Sequence, residues 1–119
     1  MNRQRQAAEA RGRQGERIAA WWLRLKGWRI LDKRVRTGVG EIDLVARKGN
    51  LVAFVEVKTR PTLEEAHAFL EPRSLQRVVA AAEVLAPTYT AMGHDVRIDA
   101  VLCAPGHRPR HLENIWQGW

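Results

Sequence analysis

Apolar residues recur with the 3.6-residue period of an amphipathic helix in two parts of the chain. The first stripe predicts a helix from about residue 13 to 26, stopped by Gly27. The second predicts a helix from about residue 72 or 73 to 85, ended by Pro87. The stripes consist of Ile18, Ala19, Trp22, Leu23 and Leu25, and of Leu75, Val78, Val79, Ala82 and Leu85.

Shorter apolar-rich runs predict strands at about residues 28–31, 40–46, 52–60, 95–103 and 111–116. Residues 61–71 are interpreted as a polar connection and residues 104–110 as a break. A helix lies between the strands at 52–60 and 95–103, so this crossover predicts at least one parallel pair. The expected fold class is α/β, a mixed β-sheet with helices packed against it.

The strands at 40–46 and 52–60 are predicted to form a hairpin. If Gly49-Asn50 is a two-residue turn, Lys48 faces Leu51 and the numbers of paired residues sum to 99. Asp43 then lies opposite Glu56, and their Cβ atoms are roughly 4.5–5.5 Å apart. Glu41 likewise lies opposite Lys58. A bulge or a three-residue turn would break this pairing.

Both faces of the second hairpin strand are largely apolar, which is typical of a central strand covered on each side. Alternation puts Leu51, Ala53, Val55 and Val57 on one face, and Val52, Phe54, Glu56 and Lys58 on the other. On the first strand, alternation puts Ile42, Leu44 and Ala46 on one face and Asp43 and Val45 on the other face. Because burying an unpaired charge is costly, Glu56 and Lys58 need partners. A structural salt bridge would also satisfy them.

Two opposed carboxylates favour a divalent cation between them, which predicts Mg²⁺ (or Mn²⁺) as cofactor. Asp43, Glu56 and the Val57 carbonyl supply the hard oxygen ligands that such an ion prefers. The ion would activate a water and polarise a phosphate. Lys58 can orient that water or stabilise developing charge. Glu16, at the edge of the first helical stripe, can hold a second ion or align a water. The alternative is that Glu16 has no role in a site and is simply an acid in the first helical turn, favoured by the helix dipole.

The chain has 119 residues, which fits one small domain, and its charge of +7 is unevenly distributed. Residues 1–36 contain 11 Lys/Arg and 3 Asp/Glu. A concentrated positive field favours a polyanion, most often nucleic acid. Solubility, or attraction to an acidic partner or membrane surface, are the alternatives. Residues 1–12 are interpreted as a mobile basic arm preceding a single domain at 13–119.

Four arginines outside the arm are candidate nucleic-acid contacts: Arg34, Arg36, Arg73 and Arg77. The first two precede the loop 37–40, which is interpreted as mobile and able to lie on a phosphate backbone. The other two are one helical turn apart. The alternative is an ordinary solvated helix face.

A cytoplasmic location is expected, and no contact with a membrane. No apolar run approaches the roughly 20 residues that span a bilayer. The N-terminus is polar and Arg-rich, unlike a secretory signal. Cys103 is the single cysteine, so no disulfide is expected, and a core thiol is its simplest interpretation.

The sequence resembles the YraN family of bacterial proteins over nearly its whole length from Gly15. The resemblance rests on Gly15-Glu16 with Ala19, Leu23 and Gly27-Trp28; Ile30-Leu31; Arg36; Gly40-Glu41-Ile42-Asp43-Leu44-Val45-Ala46; and Phe54-Val55-Glu56-Val57-Lys58-Thr59-Arg60. It implies a restriction-endonuclease-like fold of the PD-(D/E)xK superfamily, related to archaeal-type Holliday junction resolvases. Such relatives act on branched DNA as dimers, so a homodimer is expected.

The same resemblance implies a metal-dependent nuclease site at Glu16, Asp43, Glu56 and Lys58. The chain departs from the family at Arg34, where Asn is frequent, and at Ser74, where Lys is frequent. The leading hypothesis is a DNA endonuclease. The alternatives are a non-catalytic nucleic-acid-binding module with the same fold, and a basic protein-interaction domain in which Asp43, Glu56 and Lys58 form only an internal ion pair.

Overall fold

The structure is a computed structural model that describes residues 2–119. It contains three helices and five strands within that range. The elements are α1 (Arg3–Leu25), β1 (Arg29–Arg36), β2 (Glu41–Lys48), β3 (Leu51–Thr59), α2 (Leu63–Ala68), α3 (Pro72–Thr90), β4 (Asp95–Cys103) and β5 (Arg110–Trp116).

The five strands form one mixed sheet in the order β1-β2-β3-β4-β5. Only β3 and β4 run parallel, and the chain passes between them through α2 and α3. The other neighbours are antiparallel. This confirms the predicted α/β architecture with a helix-connected parallel pair, and it is compatible with a restriction-endonuclease-like fold.

A hydrophobic core lies on each face of the sheet, so β3 is buried on both sides as predicted. On one face, α1 packs its small residues and Leu23 against Ala53, Val55 and their neighbours. On the other, α3 packs Val78, Ala81 and Ala82 against Val52, Phe54 and Ile98. None of the described helices is long and apolar enough to cross a membrane.

The predicted hairpin register is confirmed over five pairs, from Lys48↔Leu51 to Leu44↔Val55. Gly49, the first residue of the two-residue turn, has φ +59°, in the left-handed region that glycine tolerates. The ladder ends at Leu44↔Val55, so Asp43–Glu56 and Glu41–Lys58 are not ladder pairs. Glu41 is paired instead with Arg36 of β1.

Side-chain alternation on β2 breaks at Asp43. Leu44 and Ala46 belong to the core under α1, whereas Ile42 belongs with Val45 to the core under α3. The prediction that Ile42 and Leu44 share a face is therefore wrong. The backbone is irregular where β2 separates from β3, and the alternation of side chains between the two faces is interrupted there. The period of apolar residues does not predict such an irregularity.

The first helix begins ten residues earlier than predicted, at Arg3. The Asn2 side chain caps it by accepting the N–H of Gln4 at 2.9 Å and of Arg5 at 3.3 Å. Residues 3–12 of the predicted arm are therefore helical, while Met1 lies outside the described residues. This segment is rich in Arg, Gln and Ala, which favour helix, but it lacks an apolar stripe because it covers no core.

Two further segments also differ from expectation. The segment 61–71 contains α2, capped by the Thr62 hydroxyl, which accepts the Glu65 N–H at 3.1 Å. Helix α3 continues through Pro87 to Thr90, and Tyr89 in its last turn packs edge-on against Phe54 at 5.9 Å. Pro87 cannot donate a backbone hydrogen bond, yet the turn that follows it keeps its contact with the core.

The loop interpreted as mobile is a hydrogen-bonded turn. Thr37 donates its N–H and hydroxyl to the Gly40 carbonyl at 2.8 and 2.7 Å, and its hydroxyl accepts the Gly40 N–H at 3.0 Å. A Cβ at Gly40 would overlap the Arg77 carbonyl, so α3 can approach this turn only because residue 40 is glycine. The start of β2 is thereby fixed against α3.

Candidate active site

Asp43 lies where β2 leaves β3, and its carboxylate replaces the missing ladder bond. The Val57 N–H donates to Asp43 Oδ2 at 2.8 Å. The N–H and carbonyl of a paired strand residue point toward the same neighbouring strand. The Val57 carbonyl is therefore directed to the Asp43 side of β3, beyond the end of the β2–β3 ladder. The gap thus brings a carboxylate and a backbone carbonyl together.

The pKa of Asp43 is raised to about 8, first by burial and second by the charge of the neighbouring Glu56. The hydrogen bond from Val57 and the charge of Lys58 oppose the shift, while the charge of Glu16 adds to it. The charge of Glu56 thus acts on Asp43 although the two residues are not a ladder pair. Two carboxylates in a partly buried gap repel each other unless a cation lies between them.

Glu56 is 8% exposed, and Lys58 Nζ lies 3.1 Å from its Oε1. The two side chains share one face at the end of β3, as alternation predicts. Within residues 2–119, no basic group lies within ion-pair distance of Asp43. The internal ion pair considered as a structural alternative therefore satisfies Glu56 but leaves Asp43 without an ion-pair partner among the described residues.

Helix α1 brings Glu16 to this end of the sheet through a close contact at Gly15. A Cβ at Gly15 would overlap the Thr59 hydroxyl at the end of β3, so only glycine permits this approach. Glu16 Oε1 accepts a hydrogen bond from Arg34 Nε at 2.8 Å. That bond raises the pKa of the Arg34 guanidinium above its ordinary value. Glu16 is thus placed near Asp43 and is oriented by Arg34.

The donors in this gap fit a hard divalent cation. No group of three His, Cys, Asp or Glu side chains in residues 2–119 converges on one point. Mg²⁺, however, is usually held by one or two carboxylates and completes its octahedron with water and phosphate oxygens. Asp43, Glu56 and the Val57 carbonyl make up such a set, with Glu16 and Lys58 at its border.

The predicted basic contacts differ in their surroundings. Arg34 is bound to Glu16, and Arg36 is exposed with its Nε 3.7 Å from Glu41 Oε2. Arg73 and Arg77 are exposed on α3, which covers the sheet face opposite α1. The backbone carbonyl of Arg77 lies against Gly40, three residues before Asp43.

A groove of about 690 Å³ opens beside Glu16 and Lys58, between α1 and the end of β3. Its lining residues are Ala8, Arg11, Gly12, Glu16, Val57, Lys58, Thr59, Arg60, Pro61 and Pro105. The α1 side of this groove exists only because the helix extends to Arg3, so sequence reasoning missed it. The available signal was the helix-forming composition of residues 3–12.

A second polar cluster, also missed, surrounds Asp99 on β4. Asp99 is fully buried and accepts hydrogen bonds from Arg97 at 2.7 and 2.8 Å, from the Asn114 N–H at 3.0 Å, and shares one with His111 Nε2 at 2.7 Å. Burial raises its pKa, but these bonds outweigh that effect and lower the pKa below its ordinary value. The cluster fastens β5 to β4, and we assign it a structural role.

Comparison with known proteins places this chain in a family. Residues 15–103, which include Glu16, Asp43, Glu56 and Lys58, match the family described as "Uncharacterised protein family UPF0102". The chain belongs to this family. UPF0102 is the YraN family that the sequence resembles, so that prediction is confirmed.

The UPF0102 relatives match over nearly their full length. A UPF0102 protein of Sphingopyxis alaskensis is 56% identical over 113 residues, covering 95% of this chain and 97% of the relative. One of Rhizorhabdus wittichii is 55% identical over 118 residues, covering 99% of each. One of Erythrobacter litoralis is 58% identical over 113 residues, covering 95% and 97%.

Proposed function

We propose that this UPF0102 protein is a divalent-metal-dependent endonuclease that hydrolyses phosphodiester bonds in DNA. The observation that carries the proposal is the Asp43–Glu56 gap: two neighbouring carboxylates, one held by the Val57 N–H and without an ion-pair partner among the described residues. A lysine lies next to them. This combination is the chemistry expected of a site that binds a cation and a phosphate together.

Asp43, Glu56 and the Val57 carbonyl would hold the ion. When bound, Mg²⁺ or Mn²⁺ supplies a water of lowered pKa and a polarised phosphate. Lys58 is held by Glu56 at 3.1 Å, so its ammonium can donate to that water or to charge developing on the phosphate. Glu16 is an accessory acid that can accept a proton or align a water while bound to Arg34.

The charge distribution supports DNA as the substrate. Basic residues Arg34, Arg36, Arg73 and Arg77 are exposed and can contact backbone phosphates. Binding through such contacts weakens steeply as the salt concentration rises. The resemblance to resolvases suggests branched DNA and a homodimer, which sedimentation or light scattering of the free protein would test.

A cytoplasmic location belongs to the same proposal. Burial raises the pKa of the Cys103 thiol to about 11, so the single cysteine stays protonated within the core. A chain without disulfide partners fits a reducing compartment.

One observation favours a second candidate, a nucleic-acid-binding module that does not cleave. Glu16 already forms an ion pair with Arg34, whose Nε lies 2.8 Å from Glu16 Oε1. The carboxylate is therefore less available for the accessory role that catalysis would give it. In this alternative, Asp43 and Glu56 hold a structural cation.

Cleavage assays distinguish the two. The protein is incubated with labelled duplex, nicked, flap and four-way DNA, with Mg²⁺, Mn²⁺ or EDTA. We expect metal-dependent products that Glu56→Gln and Lys58→Ala each reduce by at least about 100-fold, in the range of losing one catalytic proton-transfer or charge-stabilising group. Glu83→Gln on the exposed face of α3 is the matched control. Salt-sensitive binding of every substrate without cleavage would refute the nuclease and favour the module.

A further inference from the structure

The groove beside the candidate active site is basic and has the size of a one-ligand site. Arg11 lines its α1 side, and Lys58 and Arg60 line its β3 side. Its α1 wall is open at Gly12, where a Cβ would meet no atom within 4 Å. A volume of about 690 Å³ lies within the range of sites that enclose a single small ligand. One nucleotide fits such a space, whereas a continuous duplex can only lie across its mouth.

Arg60 presents a flat, fixed guanidinium to this groove. Its Cζ lies 3.9 Å from the centroid of the Phe69 ring, and its Nη1 donates to the Thr59 carbonyl at 2.7 Å. Phe69 follows α2, is 45% exposed, and does not line the groove. The ring therefore supports the guanidinium from outside. Lys58 Nζ is 6.0 Å from the same ring, so the stacked pair adjoins the proposed catalytic lysine.

We infer that this groove binds one unpaired nucleotide next to the phosphate that is cut, with its base stacked on Arg60 and its phosphate near Arg11. Nucleobases stack on arginine planes as well as on aromatic rings, without requiring a particular base. The inference rests on the proposed function and narrows its substrate class. The preferred DNA has a single-stranded segment at the cut site, as in a flap, an overhang or a gap.

A binding experiment without cleavage tests this. Fluorescein-labelled oligonucleotides of equal length are titrated in EDTA as single strand, blunt duplex and duplex with an overhang. Stacking of one base accounts for roughly 5- to 150-fold in affinity. We expect Arg60→Ala to lose that much on the single strand and the overhang, and less than about twofold on the blunt duplex. Arg60→Lys, which keeps the charge but not the plane, should lose nearly as much.

Two further variants separate stacking from folding and from charge. Phe69→Leu should reproduce part of the loss because it removes the support of the guanidinium, and its thermal melt reports whether α2 stays folded. Arg24→Ala is the control, an exposed arginine in the last turn of α1, outside the groove lining. The fluorescence of a 2-aminopurine at the junction nucleotide should change on binding to the wild-type chain, because the base leaves its stack for Arg60, and should not change on binding to Arg60→Lys.

The outcomes distinguish this inference from the proposed function. Equal losses on all three DNAs would make Arg60 an ordinary phosphate contact and overturn the inference, while leaving a nuclease possible. Equal wild-type affinity for overhang and blunt duplex would overturn it as well. DNA binding with the expected Arg60 pattern but no cleavage under Mg²⁺ would uphold the groove and refute the nuclease. Absence of any DNA binding would refute both.

Discussion

Replacing Asp43 by asparagine tests the idea that the site is built for a cation. The amide oxygen can still accept the Val57 N–H, so the substitution removes the charge and retains the hydrogen bond. An acid whose pKa is raised on folding costs stability as pH increases, because the folded state keeps a proton that the unfolded chain has lost. For Asp43, that cost begins above the ordinary value of 3.8 and is complete above about 8.

The size of this effect follows from the shift. A rise in the pKa from 3.8 to about 8, at about 1.36 kcal/mol for each pH unit, gives an upper limit of about 5–6 kcal/mol above pH 8. Asp43 is partly exposed, and solvent screening reduces this to about 1–3 kcal/mol. For a domain of this size, that corresponds to a rise in Tm of roughly 4–12 °C. Asp43→Asn should therefore be more stable than the wild-type chain in EDTA at about pH 8.5, with a much smaller gain at about pH 5.

Thermal melts at the two pH values, with EDTA and then with millimolar MgCl₂, measure this directly. Mg²⁺ should stabilise the wild-type chain at the higher pH and have little effect on Asp43→Asn, because a ligand raises Tm only where it binds the folded state. Asp95→Asn, at the exposed start of β4, should change neither quantity. An Asp43→Asn chain that is less stable at pH 8.5, or equally stabilised at both pH values, would refute the reasoning.

Three further predictions concern the scaffold. Gly15→Ala should destabilise the fold by about 1–3 kcal/mol in a urea melt, because its Cβ overlaps the Thr59 hydroxyl. Adding Thr59→Ala should restore part of this loss, and strictly additive effects of the two substitutions would contradict the contact. Asp99→Asn should lower the free energy of unfolding by about 3–5 kcal/mol at neutral pH, because it breaks a buried charged cluster. The difference in stability from the wild-type chain should shrink as pH falls through the lowered pKa of Asp99. A constant difference down to about pH 2 would contradict this prediction. The Cys103 thiol should resist iodoacetamide at about pH 8 by mass spectrometry until the chain unfolds, because burial raises its pKa to about 11; rapid alkylation of the native chain would contradict its burial.

The parts of the fold that periodicity governs were predictable. The Gly49-Asn50 turn sets the hairpin register, and two helical stripes mark the faces of α1 and α3 that cover the sheet. The first ten residues of α1 were missed because an exposed helix has no apolar stripe. The separation of β2 from β3 at Asp43 was missed because the Asp43 side chain accepts a hydrogen bond from Val57 in place of a backbone carbonyl. No pattern of apolar and polar residues predicts such a replacement.

The candidate site was predictable in its residue types more than in its contacts. Asp43, Glu56 and Lys58 stood out because they interrupt apolar strands, while Glu16 gained weight from the family resemblance. The hydrogen bond between Glu16 and Arg34 depends on how α1 crosses β1 and on the φ of +50° at Arg34. The sequence indicates neither of these. The Asp99 cluster was hidden for a related reason: Arg97, His111 and Asn114 converge only through a register shift between β4 and β5.

The position of β1 gives its basic residues a second role. This strand forms one edge of the sheet, with a row of backbone groups open to pairing by another chain. Lys33, Arg34 and Arg36 are exposed along that edge, where like charges repel a second copy. Neutralising them to weaken DNA binding would therefore also remove a barrier to strand-to-strand aggregation. Self-association of such variants has to be measured before a loss of affinity is attributed to missing phosphate contacts.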